Sequence, residues 1–299
     1  MPTSSIDAFK AARRQLLDLR EDYDRAYAEF EWPELDKFNW ALDWFDDYAA
    51  GNDQLALWLV NEDGSEEHHT FDEMRRRSNQ VANYLRNQGM QRGDTLLLML
   101  DNVTPLWEAM LACIKLGVIM IPASTLLSAG DLRDRLKRGG VTHVLTSAEH
   151  TAKFDQAPAG ITLITTGRPA PGWHGYVDAF EQPAEDFEPQ GETRATDPLL
   201  LYFTSGTTSK PKLVLHTHES YPVGSLSTMY WLGLQPDDIH YNISSPGWAK
   251  HAWSNFFAPW DAGCTVFLYR SARFSAADVL RVITDMEVTS LCAPPTVWR

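Results

Sequence analysis

The chain has 299 residues, 44% of them hydrophobic and 22% charged, with 40 acidic and 26 basic side chains and a net charge of −14. That composition supports the packed core of one large domain or two lobes and excludes wholesale disorder. The acidic balance excludes a broad nucleic-acid footprint, which needs a basic face, but leaves room for a local basic site.

Cys113, Cys264 and Cys292 are odd in number, far apart and never in C-x-x-C spacing. Neither a disulfide framework nor a zinc site is expected. The N-terminus, "MPTSSIDAFKAARRQLLDLRED", has no apolar core of a secretory signal. The longest apolar run, "LGVIMIPA" from Leu116 to Ala123, is too short to span a bilayer. A cytoplasmic protein with no transmembrane segment and no nucleic-acid partner is predicted.

In chain order, residues 6–30 read as amphipathic helix. The stretch "EWPELDKFNWALDWFDDY" reads as a surface arm anchored by Trp32, Trp40 and Trp44, so 1–54 form a helical and aromatic arm. An α/β lobe is expected over 55–165. It opens with a hairpin, "LALWLVNEDGSEEHHTF", turning at Asp63-Gly64. The helix "FDEMRRRSNQVANYLRNQG" and the buried strand "DTLLLML" follow. "PLWEAMLACIKLG" is a helix with Pro105 near its start and Gly117 at its end. Strand "VIMIPA", helix "GDLRDRLKRGG" and strand "VTHVLTS" complete the lobe. Residues 166–197, with four prolines and no long apolar run, read as an irregular connector. A second α/β lobe over 198–299 carries strands "PLLLYF", "KLVLHT", "DIHYNIS", "CTVFLY" and "VTSLCA", and helices "SYPVGSLSTMYWLG" and "SAADVLRVITDM". Such alternation predicts an α/β fold of two αβαβα-type lobes with largely parallel sheets.

One loop stands out. After "LLLYF" the chain runs through Thr204, Ser205, Gly206, Thr207, Thr208 and Ser209 to Lys210 and Lys212. Small residues let the backbone approach a ligand, consecutive N–H groups can form an anion nest, and two lysines add charge. The spacing is not G-x-x-x-x-G-K-[ST]. The residues alone leave two readings open, a polyphosphate cradle or a plain turn.

"LYFTSGTTSKPK", followed by "LVLHTHES", resembles the phosphate-loop signature of the adenylate-forming (AMP-binding) superfamily of acyl-CoA synthetases, luciferases and peptide-synthetase adenylation domains. Ser209 stands where glycine is usual in that family. A second stretch, "NISSPGWAKHAWSNFFAPWDAGCTVFLY", is most similar to the acetyl- and medium-chain acyl-CoA synthetases. The resemblance implies ATP, magnesium and CoA as cofactors and a carboxylic acid (medium-chain, branched or aromatic) as substrate. Thr204, Ser205, Gly206, Thr207, Thr208 and Lys212 would hold the β- and γ-phosphates, with Lys210 facing solvent. Gly247, Trp248 and His251 would bind the acid, and His251 would be catalytic. Trp253, Phe256, Phe257 and Trp260 recur as the buried face of a helix.

The same resemblance implies an incomplete large N-terminal domain. The family's Tyr-Gly-x-Thr-Glu segment, ribose aspartate and small C-terminal domain with its lysine are not found in the sequence. The chain is therefore expected to be inactive alone, and unpaired apolar surface leaves a homo-oligomer open. An adenylation domain loading a carrier-protein thiol, and a non-catalytic nucleotide-binding module, are the alternatives. Metal ligands are not expected: His216 and His218 lack a third ligand, and His68-His69 read as exposed. No G-x-S-x-G elbow and no strand-borne G-x-G-x-x-G occur.

Overall fold

A computed structural model describes residues 4–204 and 210–299. The chain opens with α1 (Ser5–Asp18), α2 (Tyr23–Glu29), a π-helical turn (Trp40–Phe45) and α3 (Asp46–Ala49). Next come β1 (Leu55–Asn61), β2 (Glu66–Thr70), α4 (Phe71–Asn87), β3 (Thr95–Met99), α5 (Thr104–Leu116) and β4 (Ile119–Pro122). Then follow α6 (Ala129–Arg138), β5 (His143–Ser147), a 3-10 helix (Ala148–Phe154), β6 (Thr162–Thr166), β7 (His174–Gly175) and a second 3-10 helix (Tyr176–Glu181). β8 (Pro198–Thr204), β9 (Lys212–Thr217), α7 (Ser225–Leu232), β10 (Ile239–Asn242) and α8 (Ala249–Ala252) continue the chain. A π-helical turn (Trp253–Phe257), α9 (Ala258–Ala262), β11 (Thr265–Arg270), α10 (Ala276–Asp285) and β12 (Ser290–Cys292) close it. Among the described residues no helix is long and apolar enough to cross a membrane.

The chain folds into two compact units. One comprises the residues up to Met74, Glu219–Ser244 and Lys250–Arg299; the other comprises Arg75–His218 and Ser245–Ala249. Contiguous segments are thus not the units of packing. The hairpin β1–β2, grouped by sequence order with the elements after it, instead pairs through β1 with β11, in parallel. Sequence adjacency carries no information about that pairing. Both strands are apolar enough for a sheet interior, and only the closed chain brings them together.

The first unit holds a five-stranded sheet, order β12-β10-β11-β1-β2, parallel except for the β1–β2 hairpin. One core is aromatic: Phe9, Trp40, Phe45, Phe71, Phe256, Phe257 and Trp260 are all fully buried. The arm over 1–54 is anchored in this core through part of its aromatics. Trp40 and Trp44 are buried while Trp32 stays 54% exposed. The reason is polar as well as apolar: Trp40 Nε1 donates to the Asp261 carboxyl at 2.7 Å, and Trp260 Nε1 donates to Ala56 O at 3.0 Å. Each of these two buried indole N–H groups thus has an acceptor. The expected helix face of Phe256, Phe257 and Trp260 is buried, across a π-helical turn that shifts the phase of the helix.

The second unit holds a seven-stranded sheet, order β7-β6-β5-β3-β4-β8-β9, in which only β9 runs antiparallel. β3 is buried along its whole length, as its unbroken apolar run requires. α5 ends where Gly117 takes φ +69°, the left-handed cap foreseen from its position. The proline-rich connector is ordered by a row of side chains on α4. Asn79, Gln80 and Asn83 amides donate to the carbonyls of Ala184, Phe180, Gln182, Pro183 and Asp186 at 2.9–3.1 Å. Tyr84 Oη donates to Gly175 O at 2.8 Å. An irregular segment without a partner strand finds its acceptors' donors in a helix face.

Candidate functional site

The expected phosphate loop closes the β8–β9 hairpin. Thr204 and Lys212 are register partners, the last pair before the turn, so the loop's two ends leave the sheet side by side. Ser205, Gly206, Thr207 and Thr208 lie outside the described residues. Thr204 Oγ1 donates to Lys212 O at 3.4 Å, and Lys212 is exposed. Lys210 is also exposed, with its ammonium 3.9 Å from Asp134. The base of the loop is tied to α6: Arg138 Nη2 donates to Pro211 O at 2.7 Å. Arg135 and Arg138 stand 5.2 and 5.4 Å over the Phe203 ring. Burial pushes the Arg135 pKa down, although Asp131 and Asp134 oppose it.

These α6 residues were missed from sequence. Their signal was present in "GDLRDRLKRGG", whose last turn is basic, but nothing in the spacing said which loop that turn would meet. The helix itself is well specified, with a capping box in which Ser128 and Asp131 satisfy each other's backbone.

The second expected segment reaches the same rim of the sheet through Gly247. A Cβ there would stand within 3 Å of Ser124 backbone and side-chain atoms, so only glycine allows the approach. Ser124 follows β4, and β4 pairs with β8 in parallel at Met120–Leu200. Ser124 and Thr204 each lie four residues past that pair. Gly247 and the mouth of the loop therefore share the carboxyl end of parallel strands, where open α/β sheets bind ligands. Lys153 holds the Ser124 turn in place by donating to Thr125 O at 2.5 Å and Leu127 O at 3.1 Å. Trp248 is 66% exposed and is not packed in a core.

His251 differs. It is 1% exposed and sits 3.2 Å from the Asn255 amide. Burial, reinforced by the charge of Lys250, pushes its pKa down to about 3, so the ring is neutral at physiological pH. His218 is likewise buried and neutral, its pKa near 4 through burial. Its backbone N–H donates to Asp197 O just past the end of β9. His68 is exposed, and His69 is mostly covered. Among the described residues Asp101, Glu149 and His150 bring three ligand-type atoms within 4.8 Å of one another, two of the three residues being exposed.

Comparison with known proteins agrees with this geometry. The family described as "AMP-binding enzyme" matches residues 46–299. The human mitochondrial acyl-coenzyme A synthetase ACSM3 is 32% identical over 291 residues, covering 93% of this chain and 50% of the relative. A 4-hydroxybutyrate–CoA ligase of Metallosphaera sedula is 34% identical over 275 residues, covering 89% and 47%. The crystal structure of the Brucella canis acyl-CoA synthetase superposes with a TM-score of 0.83 at 25% identity, over 93% of this chain and 53% of that one. The anthranilate–CoA ligase AuaEII, in complex with anthranoyl-AMP, shares the fold with a TM-score of 0.75. The chain spans about half the length of the curated relatives it matches. With the loop signature, the parallel-sheet rim and these likenesses together, the chain belongs to the AMP-binding enzyme family.

Proposed function

We propose that this chain supplies the ATP- and acid-binding part of an AMP-forming acid–CoA ligase. A carboxylate oxygen attacks the α-phosphorus of ATP and pyrophosphate leaves. The thiolate of CoA then attacks the acyl carbonyl and AMP leaves. Both partners of the first step are anionic, so the protein's task is charge neutralisation and alignment. In this reading Thr204, Ser205, Gly206, Thr207, Thr208 and Lys212 hold the β- and γ-phosphates. Gly247 lets the chain approach the rim, and Trp248 offers an aromatic face to a medium-chain, branched or aromatic acid. His251, enclosed and neutral, acts as a fixed polar wall rather than as a proton carrier. Magnesium would arrive on the phosphates. Asp134 at the loop base is already paired with Arg138 and lies near Lys210, so the described residues there do not form a ligand set, and no step is assigned to the metal. A cytoplasmic location, and inactivity of these 299 residues alone, belong to the same reading.

The observation that carries it is the Thr204–Lys212 pair, which opens the small-residue loop at the carboxyl rim beside Gly247. The test is acid-dependent exchange of labelled pyrophosphate into ATP, run on this chain and on its gene's full reading frame. Exchange in the longer protein alone is expected, and Lys212→Ala should lower it roughly 10- to 100-fold, as loss of a charged hydrogen-bond donor does. Exchange that needs no acid, or ATP binding with no exchange in either protein, rejects the reading. A requirement for a carrier protein in place of CoA would shift the second step to a carrier thiol.

A further inference from the structure

Lys250 is the one charged residue of the 247–251 segment. Its ammonium is enclosed and has no hydrogen-bond partner among the described residues, nor does it form an ion pair there. A lysine stem is long enough to carry its charge out to water, and Lys250 is only partly covered as a residue. Its charged end nevertheless points inward. An enclosed, unpaired ammonium is costly, and such groups are stable in proteins when an anion meets them.

The described surroundings offer no such anion. His240 spends both ring nitrogens, one 3.0 Å from Ser290 Oγ and the other 2.9 Å from Ser254 O. Burial pushes its pKa down to about 4, with Lys250 adding to the effect and Asp238 opposing it. Asp238 itself is engaged by Gln235 N and Thr289 Oγ1 at 2.7 Å each. His251, the next residue, is neutral beside Asn255. Ser254 Oγ donates to the Lys250 carbonyl and accepts from the Asn242 amide, so the backbone around Lys250 is fixed while its side chain is left unmatched. Two neutral imidazoles thus accompany an ammonium that no described group matches.

We propose that Lys250 receives the carboxylate of the acid substrate, completing an ion pair that exists only when the acid is bound. The proposal rests on the acid–CoA ligase reading and names the residue that recognises the acid's charge. One enclosed ammonium matches one monoanionic carboxylate. A triphosphate requires several donors and is served by the small-residue loop with Lys212. Pairing would hold the carboxylate in place and strip its water.

The experiment is binding to the 299-residue chain, by calorimetry and thermal shift. The probes are benzoate and hexanoate, their neutral amides benzamide and hexanamide, and ATP. Wild type should prefer each acid over its amide. Lys250→Met should lose that preference, with acid affinity down roughly 10- to 100-fold and ATP affinity unchanged. Lys250→Arg should keep part of it. Without ligand, Lys250→Met should melt higher than wild type, because an unmatched enclosed charge has been removed. A Lys250→Met chain that still prefers acid over amide overturns the assignment and leaves the ligase reading standing. A ligand-free variant that melts lower reveals a structural partner for Lys250 and also overturns it. ATP binding with no acid binding to the wild-type chain overturns the proposal, while the ligase reading is decided separately by acid-dependent exchange in the longer protein.

Discussion

At the scale of single residues, Asp261 shows how burial sets a proton. Its carboxyl is fully enclosed and its pKa is pushed up to about 7 by that burial, although bonds from Ser225 and Trp40 and the charge of Arg13 pull the other way. Ser225 Oγ lies 2.5 Å from Asp261 Oδ2 and 2.7 Å from Pro222 O. One hydroxyl has one proton to give. The pair of contacts is satisfied together when Asp261 is protonated, donates to Ser225, and Ser225 donates to Pro222. Arg13 does not pair with the carboxylate; its guanidinium bonds the backbone carbonyls of Asp261 and Ala262. The folded pKa lies above the unfolded value near 4, so the stabilisation is complete below pH 4 and is lost as pH rises through 7. Every tenfold change in proton affinity between the folded and unfolded chains corresponds to about 1.4 kcal/mol. Asp261→Asn mimics the protonated acid, because its amide can donate to Ser225 and its carbonyl can accept from Trp40. Equilibrium unfolding should find the variant close to wild type at pH 3.5 and more stable by a few kcal/mol at pH 8. Equal pH dependence in both chains would show that Asp261 titrates normally.

At the scale of elements, helix α4 does the work of a strand for the connector. Its amides take up carbonyls between Phe180 and Asp186, and Arg86 adds the carbonyl of Glu188 at 2.9 Å. Asn83→Leu leaves the carbonyls of Pro183 and Asp186 without their donor. A loss of about 1–3 kcal/mol is expected, with faster proteolysis confined to the stretch around 180–190 as its signature. At the rim, Gly247→Ala forces a Cβ into Ser124. On the proposed reading it should weaken acid and ATP binding in calorimetry more than it lowers the melting temperature, since the clash lies at the proposed binding edge and not in a core.

At the scale of the whole molecule, each unit's sheet ends in an antiparallel hairpin strand, and β9 forms one edge of the seven-stranded sheet. Leu213, Val214 and Leu215 on that strand are all exposed. A flat apolar edge is a template for another chain. Val214→Lys should therefore reduce self-association of the 299-residue chain, as sedimentation velocity would show, without lowering its melting temperature. Unchanged association would place the sticky surface elsewhere.

Most of the element types were legible in the sequence, because each was written locally. The run "TLLLM" can only be a buried strand. Gly117 and the Ser128–Asp131 box mark helix ends within a few residues, and the twelve-residue stretch Leu201–Lys212 carries its own signature. What the chain could not show is which distant pieces meet. β1 finds β11 some two hundred residues later. Trp40 becomes core because Asp261 waits as its acceptor, and Gly247 matters because Ser124 lies against it. The neutrality of His251 and the unmatched charge of Lys250 belong to the same class. Local patterning determined the elements, the loop and the family, since propensity, capping and motif act over a few residues. Tertiary structure decided pairing, burial and ionisation, since these depend on neighbours that the sequence places far apart.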